Sequence, residues 1–313
     1  LEMVFPEPQY SLIKGLLLGD DRLMSEKTRG SFLRSGLSHI TAVSGYNITL
    51  LITVLMALFS NFKKTIALSF TGFLLLFFIF LVGPSASVLR AGIMGGVSLL
   101  ALASKRKYHS FSALLLAAFA LGIWNPRMLL FDPGFHLSFA ATLGLIVLVP
   151  FLDNNIGKYF PKILGIRESL LFTISAQITT LPFLVYHFQS VSVVFPLSNL
   201  LIGGPVIPFI MLFSLLSVMM SFLSFPLAKL IGFFASLLSQ YILQIAHFFG
   251  GLIFSTIQIA RTEFIFLLTI VLAGMLLAHL QKSKERYQNI LLHRLQGQFQ
   301  HLIFQTIYDT KVQ

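Results

Sequence analysis

Apolar runs recur along almost the whole of this chain, at roughly residues 37–59, 65–82, 86–103, 110–124, 134–152, 168–186, 191–222, 227–255 and 262–280. Most approach the ~20 residues that a helix needs to cross a hydrocarbon core of ~30 Å. Continuous runs of this length read as helices, which keep every backbone polar group paired inside lipid. The expected architecture is all-α: a polytopic membrane protein with about eight or nine transmembrane helices. Composition closes the alternatives, because only 11% of residues are Asp, Glu, Lys or Arg against roughly 25% in soluble domains. With no Cys in the chain, disulfides and thiolate-held zinc or iron–sulfur centres are excluded.

Charge placement orients the spans, since Lys and Arg beside them are retained on the cytoplasmic side. Lys63 and Lys64, then Lys105, Arg106 and Lys107, then Lys158, Lys162 and Arg167 fall in alternate loops, which are expected inside the cell. Residues 1–36 then lie outside. They carry Lys14, Arg22, Lys27, Arg29 and Arg34 among Leu12, Leu16, Leu23, Phe32 and Leu33, the make-up of short interfacial helices. A basic outer segment runs against the charge rule, and exporting it needs an upstream span. With Leu1 in place of an initial Met, a fragment or processed chain is expected. Residues 37–280 form the expected transmembrane domain, and 281–313 a basic tail. In the tail Leu291, Leu295, Phe299, Leu302, Ile303 and Ile307 stand at helical spacing, which predicts an amphipathic helix on the cytoplasmic side.

One span departs from the others. Pro196, Gly203, Gly204, Pro205 and Pro208 interrupt residues 191–222. Proline removes a donor and clashes with the preceding turn, so a broken or re-entrant helix is expected there. A full crossing leaves the basic tail in the cytoplasm and a turn back leaves it outside; the charge rule favours the crossing.

Polar side chains within spans are costly and therefore informative. Arg90 lies about one turn inside the third run, where Ser87, Ala91 and Gly95 at spacings of four allow a close neighbour. It reads equally as a cation snorkelling to the interface and as a contact for phosphate or carboxylate. His39, Ser44 and Asn47 make the first run a crowded polar surface, read residue by residue as helix–helix hydrogen bonds. Asp132 before Pro133 reads as a helix cap, and His136, Ala140 and Gly144 follow on one small-residue face. Ser175, Gln177, Thr179 and Thr180 must face inward from the sixth run, and Asn199 precedes the break. Gln240, Gln244 and His247 form a stripe that is structural or functional with equal weight.

Catalytic signatures are weak. Gly83-Pro84-Ser85-Ala86-Ser87 lacks the closing Gly of a nucleophile elbow and follows a helix rather than a strand. No paired carboxylates, Walker loop or His-Glu-x-x-His motif occurs, and His39, His136 and His187 lack carboxylates nearby in sequence to orient them on a metal. Neither catalytic residues nor a cofactor are expected.

Four blocks, LSHITAVSGYNITLL, PSASVLRAGIMGG, NPRMLLFDPGFHLSFAATLGL and AQITTLPFLVYHFQSVSVVFPLSNLLIGGPVIP, resemble in order and spacing the signature blocks of ComEC-type competence proteins. The resemblance covers about residues 11–261. It implies an inner-membrane channel that passes one DNA strand into the cytoplasm during natural transformation. Outer DNA-receptor and nuclease proteins and a cytoplasmic helicase-like translocase would be its partners. Family members commonly add an outer OB-type domain and a metallo-β-lactamase-like domain, and no counterpart of either is found in this sequence. Asn47 stands where the family pattern has His, which weakens any proton-transfer role there and keeps a hydrogen-bonding group.

On this reading the strand's phosphates need a wet path lined with donors. His39, Ser44, Asn47, Arg90, Asp132, His136, Gln177, Thr180 and Asn199 are the expected lining. Two other classes stay open: a secondary transporter of a small anion, to which a broken helix also belongs, and a non-conducting membrane scaffold.

Overall fold

The computed structural model describes residues 2, 4–20, 22–41, 45–160, 165–203, 206–277 and 280, and for Tyr46 and Lys158 the backbone alone. The expected tail helix at 281–313 and Ser44 lie outside the described residues. The chain divides into a unit of residues 1–267 and a second of 268–313, in which 268–277 are helical.

Helices α1 (Gln9–Leu18) and α2 (Glu26–Ser35) open the first unit. Ser25 caps α2 by accepting from the Thr28 amide at 3.3 Å. Gly36 ends it at φ 76°, a left-handed turn favoured by Gly, and a Cβ there would also meet Phe195 at 2.8 Å. After a 3-10 turn at Ser38–Ile40 come α3 (Gly45–Leu58), α4 (Lys64–Val82), α5 (Ala86–Ala103), α6 (Ser110–Trp124) and the short α7 (Pro126–Phe131). Then follow α8 (Pro133–Asn155), α9 (Ile166–Phe188), α10 (Phe195–Ile202), α11 (Val206–Ser221) and α12 (Phe225–Gly250).

Five helices, α4, α5, α8, α9 and α12, are long and apolar enough to cross a membrane, or six when α10 and α11, bent by 49°, count as one span. The expected number was eight or nine. Three of the nine runs are not among these: the run at 262–280 includes residues outside the described ones, and two fall short for local reasons. The run at 37–59 begins with the 3-10 turn, so α3 has only 14 described residues, about 21 Å at 1.5 Å per residue. The run at 110–124 is halted by Asn125-Pro126, which leaves α6 with 15 residues. The described chain also includes two strands, β1 (Ser190–Ser192) and β2 (Thr256–Gln258), paired antiparallel.

That small ribbon fixes the course of the chain. β1 follows α9 and β2 follows α12, so these two helices end on the same side of the bundle. With 26 residues, α12 is about 39 Å long, and its start lies at the opposite end. The bent α10–α11 pair therefore carries the chain through the bundle between them.

Side-chain burial shows what holds the bundle. Leu12, Ile13 and Leu16 of α1 and Phe32 of α2 are buried with Ile202, Ile210, Ile242 and Leu243 in the largest core cluster. Of the N-terminal apolar residues, Leu23 and Leu33 are exposed, whereas Leu12, Leu16 and Phe32 face protein. A second cluster joins α3, α4 and α5 through Ile48, Leu75, Val88 and Leu99. Where lipid is as apolar as leucine, helices associate through close packing and small residues. Gly144 of α8 is such a point: a Cβ there would lie 2.4 Å from Thr179 Oγ1 and 2.7 Å from the Ser175 carbonyl. The bundle's outer surface exposes Phe70, Phe73, Phe77, Phe80 and Phe119, which suits contact with acyl chains.

Candidate functional site

Helix α8 is packed on two sides, and each side presents a polar constellation. Ser138 and Thr142, four residues apart, face α5, while His136, Gly144 and Leu148 belong to the side toward α9. Arg90 of α5 is 7% exposed, and its Nη1 donates to the Ser138 carbonyl and to Thr142 Oγ1. Thr142 Oγ1 in turn donates to the Ser138 carbonyl at 2.9 Å. The guanidinium lies 6.0 Å from the Phe139 ring centroid. Across from it Gly45 leaves room, because a Cβ there would sit 2.8 Å from Nη2. Arg90 Nε and Ser138 Oγ are buried without a partner among the described residues. A cation at this depth has thus been given neutral acceptors and a ring face, an environment that favours an approaching anion.

On the other side of α8, Asp132 caps the helix, accepting from the Phe135 amide at 2.7 Å, as the Asp-Pro pair predicts. One turn later His136 places Nε2 2.8 Å from the Leu129 carbonyl and Nδ1 2.8 Å from His187 Nε2 of α9. The carbonyl only accepts, so His136 Nε2 carries a proton. In the neutral pair Nδ1 then accepts from His187 Nε2–H. The ring of His136 stacks on Phe183 at 5.2 Å and on His187 at 5.1 Å. Tyr186 meets His187 edge-on and carries the Arg261 guanidinium 4.7 Å above its ring. Arg261 Nε also donates to the Tyr186 carbonyl at 2.8 Å.

The remaining expected residues are dispersed. Asn47 is buried and donates through Nδ2 to the Leu16 carbonyl at 3.2 Å, tying α3 to α1. His39 sits in the 3-10 turn, exposed, with Nδ1 3.2 Å from the Gly36 carbonyl and its ring edge-on to Phe195. Asn199 donates to the Phe195 carbonyl at 3.1 Å, so both residues touch Phe195. Thr180 is turned back on its own helix, donating to the Ala176 carbonyl at 2.8 Å, and Gln177 is half-buried on the same helix. Arg90 on one side of α8, the Asp132–His136 end of that helix and the Phe195 neighbourhood are therefore three separate places.

Several partners escaped sequence reasoning. Ser138 and Thr142 carry a spacing-of-four signal opposite His136 that could have been read. His187 as the mate of His136, and the Gln9–Gln240 amide pair at 2.7 Å, join residues too far apart in sequence. Away from the spans, Arg22 and Lys14 hold the Asp20 carboxyl well below the usual carboxylate range, with contacts of 2.9 and 3.1 Å. Among the described residues no three His, Asp or Glu side chains converge as metal ligands would.

Comparison with known proteins bears on this geometry. A family model described as competence protein matches residues 16–284. Among curated proteins, ComE operon protein 3 of Bacillus subtilis (strain 168) is 29% identical over 202 residues, covering 63% of this chain and 25% of that relative. The matched region thus spans about a quarter of the relative's length. No solved structure matches.

Proposed function

This chain belongs to the competence protein family, and from that premise we propose that it forms an inner-membrane channel for single-stranded DNA taken up in natural transformation. The observation that carries the reading is the family match over residues 16–284 on a chain with five or six helices fit to cross a membrane. Physical features support it. The loops holding Lys63, Lys64, Lys105, Arg106 and Lys107 lie at the end of the bundle away from the β1–β2 ribbon, and we read that end as cytoplasmic and the ribbon as outside, with basic α2 beside the ribbon as the exception to the charge rule. A strand entering from the ribbon side meets the ends of α8 and α9 first and the Arg90 contact between α5 and α8 deeper down. One cation held by neutral groups suits passage, because binding strong enough to attract and weak enough to release is what conduction requires.

No bond-making step is assigned to this chain. Driving force would come from a cytoplasmic nucleic-acid translocase, and delivery and strand degradation from proteins outside. The bend between α10 and α11 favours a second reading, a secondary transporter of a small anion, whose sites lie at broken helices.

Deletion of the gene in its host separates these. Labelled DNA bound at the cell surface and DNA protected in the cytoplasm are assayed separately. The channel predicts binding retained with entry lost. Entry at the parental level would refute it and turn attention to small-anion flux.

A further inference from the structure

Near the ribbon, three segments far apart in sequence form one continuous surface. Ser192 Oγ of β1 donates to the Arg34 carbonyl at 2.8 Å. Ser198 Oγ donates to the Ser35 carbonyl at 2.7 Å, and Gly250 at the end of α12 lies against Ser31, where a Cβ would be 2.5 Å from its carbonyl oxygen. The last turns of α2 are thus fixed to β1, and β1 to β2. Lys27 and Arg34, seven residues apart, stand on one face of α2 and are exposed. Arg29 is exposed on the same helix and Arg261 just beyond β2. These four cations are set against Glu26 and Glu263.

At the end of the ribbon where β1 begins and β2 ends, beside the Ser190–Gln258 pair, lies an open recess of about 320 Å³ lined by Phe188, Gln189, Ser190, Gln258, Ile259 and Ala260. Its wall joins two side-chain amides to an exposed phenyl ring. Gln189 takes a left-handed backbone (φ 54°) at the turn between α9 and β1. Phe188 is 44% exposed, and nothing in the lining repels a flat polar ring.

We infer that this surface is a docking site for single-stranded nucleic acid, with Lys27, Arg34 and Arg261 on successive phosphates and one base in the recess between Phe188, Gln189 and Gln258. The inference rests on the channel reading for the identity of the strand. Cations that track a backbone beside a ring that stacks any base are the two elements of sequence-tolerant single-strand binding. Arg261 is held in place through Nε and its cation–π contact and is exposed beside the ribbon. Amides in the recess offer a donor and an acceptor to any base edge. The surface lies on the ribbon side, where a strand from outside arrives.

Because the chain has no Cys, one introduced thiol reports on one place. Full-length protein in nanodiscs of zwitterionic lipid carries Gln258→Cys or, at the opposite end, Arg106→Cys, and is exposed to a thymidine 20-mer bearing a thiol-reactive end group. The expected result is cross-linking at Gln258→Cys that falls about tenfold when Lys27→Gln and Arg34→Gln are added. The log–log salt slope of that rate should become shallower by about 1.4, two phosphate contacts at ~0.7 each for a single strand. Cross-linking at Arg106→Cys should not respond to the same pair. A Gln258→Cys rate indifferent to Lys27 and Arg34 overturns the site. So does a double variant that loses binding to phosphatidylglycerol vesicles while the 20-mer never cross-links, which would assign the surface to lipid headgroups. The host deletion reports separately: cross-linking with uptake unaffected upholds the surface and removes the channel, whereas uptake dependent on the protein without cross-linking removes the surface alone.

Discussion

Replacing Arg90 by Met keeps most of the side chain's length and removes its charge, and the structure sets the size of the effect. Two charge-assisted hydrogen bonds are lost, from Nη1 to the Ser138 carbonyl and Thr142 hydroxyl, each worth roughly 1.5–3 kcal/mol. Neither acceptor is orphaned, because the hydroxyl already donates to that carbonyl. Against the loss stands relief from burying a cation with Nε unpartnered, several kcal/mol per ion and about 2.5–3.5 kcal/mol on an insertion scale at a helix centre. The opposing contributions cancel to within about 2 kcal/mol. Arg90→Met should therefore hold its melting temperature in detergent to within several degrees, and the amount of protein in membranes should not change. Entry of DNA, measured as nuclease-protected label, should fall by about tenfold or more, the effect of ~1.4 kcal/mol of lost interaction with the strand. A collapse in Tm would refute the energetic argument and make Arg90 a strut between α5 and α8. Parental DNA entry with a folded variant would refute its place on the path.

Gly144→Ala should destabilise the bundle by about 1–3 kcal/mol, because the new Cβ would meet the Ser175 backbone oxygen at 2.7 Å. Gly96→Ala, with nothing within 4 Å of its Cβ, should be neutral or stabilising by up to ~1 kcal/mol; equal unfolding midpoints for the two would contradict the packing described. His187→Phe keeps the stack on His136 but leaves the part-buried His136 Nδ1 without its partner, so a loss of about 0.5–1.5 kcal/mol is expected. Adding His136→Phe should recover part of it in a double-mutant cycle. Asp20 titrates lower in the folded protein than in the unfolded chain, so its ion contacts stabilise above pH ~4 and fade as pH falls through the folded value. Protease resistance near residue 20 should match between pH 8 and pH 5, and a decline already at pH 6 would point to another group.

How much of this was readable from the chain depends on the range of the interactions. Asp132-Pro133 sets its own helix start through atoms three residues apart, and the cap is where the sequence puts it. The Pro and Gly residues near 203 break a helix by local geometry, and α10–α11 is bent there. The N-terminal segment was harder. Leu12, Leu16 and Phe32 give the same amphipathic signal whether the covering surface is lipid or α12, and periodicity does not distinguish the two. Arg90 was conspicuous by its charge, but its acceptors lie on a helix about 50 residues away. Strands of three residues such as Ser190–Ser192 carry no period long enough to detect. The described lengths of α3 and α6 fall short of a span, because an apolar run does not record where the backbone turns within it.

The β1–β2 ribbon also bears on how such a chain is assembled. Its strands are separated by α10, α11 and α12, so it cannot close until all three have been threaded through the bilayer and α12 has emerged on the side already occupied by the end of α9. An α12 inserted in the reverse sense would leave β2 across the membrane from its mate. The Arg261–Tyr186 clamp beside the ribbon would be unmade as well. Six residues of sheet thus close a loop of three helices, and they can pair only when the order and sense of insertion are correct.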